Sequence, residues 1–274
     1  MTYPSGRWRL LNTGPACGAT NMAIDEAILR AVASRLVPPT LRLYAWEPPC
    51  LSLGQAQSFS EVDWEACVAR GYAVVRRPTG GRAILHTDEL TYSVTAPEDE
   101  PRIQGGIVES YRRLSEGLLQ GLRWMGVPGI EAHHPEAEPA QPANNTAQGP
   151  VCFEAPSTYE VTVAGKKLVG SAQVRREGVV LQHGTLPLVG DIARICDVLV
   201  SHPGPVRVRS RAATVESVLG RAVSFDEAAQ AVARGLESVL NLELEPGDLS
   251  PQECAWADEL RLTKYATDEW NRRL

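Results

Sequence analysis

The sequence predicts an α+β fold, because it combines antiparallel hairpin patterns with amphipathic helix patterns. The clearest strand pattern spans residues 158–187, where β-branched residues alternate on both sides of Ala164-Gly165 and predict a hairpin. Arg176-Glu177-Gly178 predicts the next turn, and therefore a third antiparallel strand. The clearest helix pattern spans residues 105–125, where apolar side chains recur on one face until a glycine and a proline end the helix.

The N-terminal part predicts two helices and four strands. Residues 21–32 carry apolar residues at helical spacing, which predicts the first helix. Residues 40–46 alternate apolar with polar or aromatic side chains and predict a half-buried strand. Ser60 with Asp63 resembles a capping box and predicts a short helix that runs to Arg70. The remaining strands are predicted at residues 50–54, 72–76 and 89–96.

The C-terminal part predicts mainly helices. Ser224 with Glu227 caps a strongly amphipathic helix, and Ser250 caps the last helix, which has a proline at its first position. Weaker patterns predict helices at residues 191–200 and 212–219 and an edge strand at residues 241–245.

We expect a single domain over residues 1–274, with its core at about 8–245 and a C-terminal helix and tail at 250–274. A mobile loop is predicted over residues 126–150, since most of it is rich in Pro, Ala, Glu, Gln and Asn and offers almost nothing to bury. The pair His133-His134 in this loop suggests a metal ligand, but no partner ligands accompany it. Solvated histidines are therefore the favoured interpretation.

Composition excludes several classes of protein. The chain has 274 residues and a net charge of −6, which argues against a general nucleic-acid binder. No apolar run is long enough for a membrane span, and the N-terminus has no signal-peptide pattern. The 6 cysteines include no Cys-x-x-Cys pair, so we expect reduced thiols rather than a zinc site or a disulfide scaffold. A cytoplasmic protein is predicted.

Cys152 and Lys167 are the candidate reactive pair. Cys152 lies just before the first strand of the predicted hairpin, and Lys167 follows the turn, where we expect it opposite the start of that strand. An ammonium beside a thiol favours the nucleophilic thiolate. On its own, however, a lone cysteine is more often a small buried hydrophobe.

A glycine-rich loop is the second candidate feature. Gly80-Gly81 follows a strand, so the backbone there can approach a ligand closely, and the flanking arginines suit a carboxylate or a phosphate. The plainer interpretation is a glycine turn with solvated arginines. His86 and His183 are equally interpretable as acid/base groups or as strand residues whose rings bond to the backbone.

Five runs of sequence occur together and in a fixed order, and they carry a family resemblance. The runs are residues 77–86, 152–157, 165–173, 182–186 and 262–271. Together they resemble the biotin/lipoate protein ligase superfamily over about residues 8–271, and most of all the cysteine-dependent octanoyl-[acyl-carrier-protein]:protein N-octanoyltransferases. The resemblance implies mixed, mainly antiparallel sheets flanked by helices.

The resemblance also implies a site. Cys152 would be the nucleophile and Lys167 would lower its pKa and relay protons, while backbone N–H groups around residues 170–172 would hold the oxyanion. The donor would be an octanoyl-acyl-carrier protein and the acceptor a lysine of a lipoyl domain or of glycine-cleavage H protein, without ATP or metal. The implied substrate-binding residues are Arg77, Thr79, Gly80, Gly81, Arg82, Ala83, His86, Gly170, Ser171, Ala172, His183, Gly184 and Thr185.

Three alternatives stay open. ATP-dependent lipoate ligases are similar at the glycine loop and at Lys167, but they usually carry a third glycine where this chain has Arg82, and they do not need Cys152. Amidotransferases that move octanoyl groups between lipoyl domains use a cysteine near this position but have a different glycine loop. The third alternative is a non-enzymatic binder of acyl groups or lipoyl domains on the same scaffold.

Overall fold

The computed structural model describes residues 3–133, 151 and 160–274. Within these ranges the strands are β1 (Gly6–Ala16), β2 (Thr40–Trp46), β3 (Cys50–Leu53), β4 (Ala73–Arg76), β5 (Ile84–His86), β6 (Glu89–Pro97), β7 (Ile130–His133), β8 (Glu160–Val163), β9 (Lys166–Arg176), β10 (Val179–Pro187) and β11 (Leu242–Pro246). The α-helices are α1 (Gly18–Ala33), α2 (Trp64–Ala69), α3 (Ile107–Trp124), α4 (Pro205–Arg211), α5 (Val215–Leu219), α6 (Phe225–Leu240), α7 (Pro251–Leu260) and α8 (Asp268–Asn271).

The strands form two sheets. The large sheet has eight strands in the order β11-β1-β2-β6-β10-β9-β8-β7, and the small sheet has the order β4-β3-β5. Strand β1 is parallel to β2 and to β11, and β3 is parallel to β4. The remaining pairs are antiparallel. This architecture confirms the predicted α+β class with mixed, mainly antiparallel sheets flanked by helices.

Helices cover both faces of the large sheet. Helices α3 and α6 pack on one face, where Leu118 and Leu236 share a core with Tyr92 and Val94 of β6. Helix α1 packs on the other face, where Met22 and its apolar neighbours meet Tyr44 and Leu181, and α7 packs behind α1. The small sheet forms a third core with the segment around residues 192–199 and α4.

Local signals account for most helix boundaries. Ser250 and Glu253 form a reciprocal capping box at the start of α7, and Ser224 accepts a hydrogen bond from the Glu227 N–H at the start of α6. Helix α5 ends at Gly220, whose left-handed conformation (φ 68°) favours glycine.

Several predicted elements need correction. Residues 40–46 are not half-buried, since every residue of β2 except Ala45 is buried between the two layers that cover the sheet. Asp63 rather than Ser60 caps α2, because its carboxylate accepts the Ala66 N–H at 2.9 Å. The helix predicted at 212–219 begins only at Val215. The segment Pro205–Arg211 forms a helix that was not predicted, and α8 follows the helix predicted to be the last.

The prediction of a mobile loop over residues 126–150 is wrong at its N-terminal end. Residues 130–133 form β7, which pairs with β8. Val127 and Ile130 are buried in the core beneath α3, so two apolar anchors hold a stretch that is otherwise polar. Residues 134–150 lie outside the described residues.

The register of the central strands determines which side chains of the large sheet face the candidate site. Directly opposed residues in an antiparallel pair project from the same face of the sheet. The face toward α1 therefore carries successive rows, the first being Thr185, Gly170 and Thr91, the next His183, Ala172 and Ser93, and the third Leu181, Val174 and Thr95.

Candidate active site

A pocket with about 300 Å³ of empty space, part of it open to solvent, lies over the first two of these rows, between the large sheet, α1 and the small sheet. We call it the central cavity. Seven of the predicted substrate-binding residues line it, namely Arg77, His86, Gly170, Ala172, His183, Gly184 and Thr185. The other lining residues, which the sequence analysis did not single out as site residues, are Met22, Tyr44, Trp46, Ser52, Ile84 and Thr91.

The buried side chain of Arg77 stabilises the glycine loop through hydrogen bonds to its carbonyl groups. Its side chain is 3% exposed, and its guanidinium donates to the carbonyl oxygens of Ser52, Gly80 and Arg82 at 3.1, 2.7 and 2.8 Å. Gly81 has φ +90°, and its carbonyl lies where a Cβ on Gly54 would stand, so both positions require glycine. Arg77 is thus neither solvated nor an open anion site, because protein oxygens occupy its donors.

His183 connects the glycine loop to a buried carboxylate on α1. Its Nδ1 lies 3.2 Å from Asp25 Oδ2, and its Nε2 lies 2.7 Å from Thr79 Oγ1. Asp25 also accepts from Arg42 at 2.7 Å and from Tyr44 at 2.9 Å, and both partners are fully buried. A carboxylate only accepts hydrogen bonds, so the ring proton is on Nδ1 and Nε2 accepts the Thr79 hydroxyl.

The pKa values of this network follow from burial and charge. Burial alone would raise the pKa of Asp25, but the ion pair with Arg42 and the hydrogen bond from His183 outweigh it, and the pKa is lowered. Burial lowers the pKa of His183 in spite of the opposing effect of Asp25. The network therefore contains an ionised Asp25 and a neutral His183 at neutral pH.

His86 stands in a similar arrangement on the small sheet. Its Nδ1 lies 2.7 Å from Glu89 Oε1 and its Nε2 lies 2.7 Å from Ser52 Oγ. The Trp46 indole stacks on the imidazole with 4.0 Å between ring centroids, and it donates to Thr91, which donates in turn to Glu89. Both candidate histidines are thus bonded to side chains, not to the backbone.

Thr185 is different from the other polar residues of the central cavity. Its side chain is 1% exposed, yet its hydroxyl has no hydrogen-bond partner among the described residues. A buried hydroxyl without a partner costs about 1–3 kcal/mol of stability. The hydroxyl is therefore available to a group bound in the cavity.

The other predicted binding residues lie beside the cavity or face away from it. Thr79, Gly80, Gly81, Arg82 and Ala83 form the loop around Arg77, and Ala83 pairs with Val151. Arg82 is partly exposed and lies 3.7 Å from Glu61. The Ser171 hydroxyl bonds to Tyr92 at 2.8 Å, on the opposite face of the sheet. Backbone N–H groups of residues 170–172 lie in the plane of that sheet, since these residues pair with β10.

Lys167 is buried at the beginning of β9, with 4% of its surface exposed. It pairs with Thr162, near the end of β8, so the prediction that it lies opposite the start of that strand is wrong. The reason is geometric: positions equally distant from the Ala164-Gly165 turn oppose each other in a hairpin. The hairpin register alone therefore does not bring Lys167 toward Cys152.

Two backbone bridges connect the neighbourhoods of Cys152 and Lys167 to one hydrophobic cluster. Cys152 itself lies outside the described residues. Val151, its neighbour, pairs with Ala83, and Lys167 pairs with Ala212. Val151, Ala83 and Ala212 belong to one hydrophobic cluster, so the backbone one residue from Cys152 packs in the same cluster as the strand partner of Lys167.

Two of the described cysteines, Cys50 and Cys67, are unsuited to act as nucleophiles. Cys50 and Cys67 are fully buried, and burial raises the pKa of both thiols, that of Cys67 to about 11. Cys196 is also buried, Cys17 is partly exposed and Cys254 is exposed. The two buried thiols with raised pKa values stay protonated at neutral pH.

One signal in the sequence could have revealed the buried network. Asp25 follows Ile24 and precedes Ala27 and Ile28 on a helix whose surroundings are apolar, and an acid in such a segment needs a buried partner. Arg42, in the middle of β2, is that partner. The strand alternation instead suggested that Arg42 faced solvent.

The described part of the chain contains neither a cluster of metal ligands nor a membrane-spanning helix. No group of three or more His, Cys, Asp or Glu side chains there could hold a metal ion. His133 lies in β7, and His134 is outside the described residues. None of the described helices is long and apolar enough to cross a membrane.

Comparison with known proteins gives a consistent result. Residues 17–237 match the lipoyl protein ligase A/B catalytic domain. The chain is 47% identical to octanoyltransferase LipM of Kyrpidia tusciae, over 97% of this chain and 98% of that one. It is 41% identical to octanoyltransferase LipM of Bacillus subtilis, over 96% and 97% of the two chains.

Solved structures agree with the sequence comparison. A lipoate-protein ligase A bound with ATP superposes with a TM-score of 0.79 at 27% identity, over 98% of this chain and 99% of that one. A chain from a study of the bi-partite lipoate protein ligase and E2 lipoyl domain of Thermoplasma acidophilum superposes with a TM-score of 0.75 at 27% identity, over 98% and 97% of the two chains.

Proposed function

Because the chain belongs to the lipoyl protein ligase A/B catalytic domain family and is an acyltransferase, we propose that it transfers an octanoyl group in lipoate assembly. The donor is an octanoyl-acyl-carrier protein, and the acceptor is a lysine of a lipoyl domain or of glycine-cleavage H protein. The observation that carries this proposal is the central cavity, which is lined by seven predicted binding residues and lies beside β9, the strand that carries Lys167 near its start.

Cys152 is the proposed nucleophile and Lys167 its partner. The packing of Val151 and Ala212 in one hydrophobic cluster supports this pairing, since Val151 precedes Cys152 and Ala212 forms a backbone bridge with Lys167. The burial of Lys167 supports it as well, because a buried ammonium interacts more strongly with a nearby thiolate than a solvated one. A free cysteine has a pKa of about 8.5, so an adjacent positive charge increases the fraction of thiolate at neutral pH.

The reaction proceeds in two balanced steps. The Cys152 thiolate attacks the thioester carbonyl, the bond to the carrier's sulfur breaks, and the departing thiolate takes a proton from Lys167. The neutral amine of the acceptor lysine then attacks the acyl-cysteine, the carbon–sulfur bond to Cys152 breaks, and Lys167 takes the proton that the amine loses. Thioester and amine become amide and thiol, so no ATP or metal enters the proposed cycle.

The test uses mass spectrometry of the full chain mixed with octanoyl-acyl-carrier protein. We expect a covalent octanoyl adduct on Cys152, and loss of that adduct when a lipoyl domain is added. Cys152→Ser should form no acyl adduct that the lipoyl domain can remove. Lys167→Met should slow adduct formation by about 100-fold or more, since it removes both the positive charge and the proton relay.

Cys254→Ser is the matched control, because Cys254 is exposed on α7 and should not carry the acyl group. An adduct that persists unchanged in Cys152→Ser would contradict the proposed nucleophile. Activity that requires ATP and free octanoate or lipoate would instead identify a ligase, as in the structural relative with bound ATP. Transfer that requires an octanoylated lipoyl domain as donor would identify an amidotransferase.

A further inference from the structure

We propose that the Thr185 hydroxyl donates a hydrogen bond to the carbonyl oxygen of the acyl group during transfer. This inference rests on the proposed function and assigns a catalytic contact within it. Its starting point is the unpartnered hydroxyl of Thr185, which is 1% exposed and lines the central cavity.

The other polar side chains that line the central cavity already have hydrogen-bond partners. Ser52 is bonded to His86, and His183 is bonded to Thr79 and Asp25. The hydroxyl of Tyr44 donates to Asp25, and the indole of Trp46 donates to Thr91. Thr185 is thus the one lining side chain, among those described, whose hydroxyl keeps both its donor and its acceptor capacity for a ligand.

The chemistry of the ligand decides which atom takes the bond. An octanoyl group contains a single oxygen atom, its carbonyl, and the rest of the chain is hydrocarbon. A buried hydroxyl in contact with such a group therefore has one available acceptor. That oxygen becomes negatively charged when sulfur or nitrogen attacks the carbonyl, so a hydrogen bond to it strengthens in the transition state.

The position of Thr185 agrees with this role. Thr185 on β10 pairs with Gly170 on β9. Lys167 precedes Gly170 by three residues on β9, which is roughly 10 Å along the strand. His183 and Ala172 form the next row, farther from Lys167. The hydroxyl thus belongs to the row of the cavity nearest to the proposed proton relay. Unlike the in-plane N–H groups of residues 170–172, it projects from the face of the sheet.

Thr185→Val and Thr185→Ser separate the hydroxyl from the methyl group. Valine has nearly the shape of threonine but cannot donate, so kcat/KM for transfer from octanoyl-acyl-carrier protein to a lipoyl domain should fall by about 100- to 1,000-fold, mostly in kcat. Serine keeps the hydroxyl and should retain activity within about tenfold. The melting temperature of Thr185→Val should equal or exceed that of the unchanged protein, because the substitution removes a buried unpartnered group.

Thr91→Val is the control for stability. Thr91 pairs with Thr185 across the strands, but its hydroxyl is bonded on both sides, to Trp46 and to Glu89. Its loss should lower the melting temperature, in contrast to Thr185→Val. A second readout is the infrared stretch of a ¹³C-labelled octanoyl carbonyl on Cys152, which should shift to higher frequency in Thr185→Val as the hydrogen bond is lost.

The outcomes distinguish this inference from the proposed function. Transfer by Thr185→Val within threefold of the unchanged protein, or an unshifted carbonyl stretch, would overturn the inference alone. So would a fall in melting temperature as large as that of Thr91→Val, because it would show a structural role for the hydroxyl. Absence of octanoyl transfer by the unchanged protein would overturn the proposed function and this inference with it.

Discussion

Two buried carboxylates, Asp25 and Glu89, determine where the protons sit on the histidines of the central cavity. Each accepts from Nδ1 of one ring, so each Nε2 faces a hydroxyl, that of Thr79 or that of Ser52. Each ring therefore links a buried carboxylate to a hydroxyl.

The His183 network predicts a measurable dependence of stability on pH. The pKa of His183 is lowered, chiefly by burial, whereas a histidine in the unfolded chain titrates near 6.5. As the pH falls, the unfolded chain takes up this proton first. The stabilising contribution is therefore complete above about pH 6.5 and is lost as the pH falls through the lower folded pKa.

Urea denaturation between pH 7 and pH 5 measures this effect. We expect the free energy of unfolding to decrease across that range, and His183→Gln to show a smaller decrease because glutamine does not titrate. His202→Gln is the control, since His202 is exposed in a loop and should leave the slope unchanged. Equal slopes in His183→Gln and the unchanged protein would contradict the role assigned to His183.

At the scale of elements, the seam between α3 and α6 depends on glycines. A Cβ on Gly235 would lie 2.8 Å from the Cα of Gly121 and against the carbonyl oxygen of Gly117, and a Cβ on Gly121 would meet the carbonyl of Ala231. These contacts are with backbone, which has no side-chain freedom to give way. The two helices therefore cross with their backbones nearly in contact.

Gly235→Ala tests this close approach through the sign of its effect. Alanine in a helix interior is ordinarily more stable than glycine by about 1 kcal/mol. Here we expect the opposite, a loss of about 2 kcal/mol or more, because overpacking forces the helices apart. Denaturant midpoints measure the difference, with Ser238→Ala as a control at an exposed position of the same helix, where a gain of a few tenths of a kcal/mol is expected. A stabilised Gly235→Ala would show that the seam has room.

Elements with a local signal were the predictable ones. The hairpin from β8 to β10 and helices α1, α3, α6 and α7 follow from alternation, periodicity and caps within their own residues. Strand β1 was missed because its partners, β2 and β11, lie far along the chain, and β7 because only Val127 and Ile130 of its surroundings are apolar. In the site, the glycine loop and the strand motifs could be found from sequence, whereas Asp25 and Arg42 acquire meaning only through each other.

At the scale of the whole molecule, the C-terminal segment packs against β4, the strand that leads into the glycine loop. The buried guanidinium of Arg76 donates to the carbonyl oxygens of Asn271 and Arg273 at 2.9 and 2.8 Å, and also to those of Gly54 and Gln57. The indole of Trp270 donates back to the Arg76 carbonyl at 2.8 Å. Residues 270–273 thus hold the start of the glycine loop in place, although they lie almost 200 positions later in the chain.

Arg76→Lys should loosen this closure and, through it, the central cavity. Lysine has three donors at one point and cannot replace a planar fork that reaches carbonyls on two sides. Since each buried carbonyl left without a partner costs about 1–3 kcal/mol, we expect a loss of about 3 kcal/mol or more in the free energy of unfolding. Faster hydrogen exchange at residues 79–83 and a higher KM for the acyl donor should accompany it.

Arg70→Lys makes the same exchange at a partly exposed side chain 3.6 Å from Asp197 and should change stability by less than about 0.5 kcal/mol. If Arg76→Lys were as stable as Arg70→Lys and the loop amides stayed protected, the prediction would be contradicted. Arg77 and His183 alone would then hold the glycine loop, without the C-terminal segment.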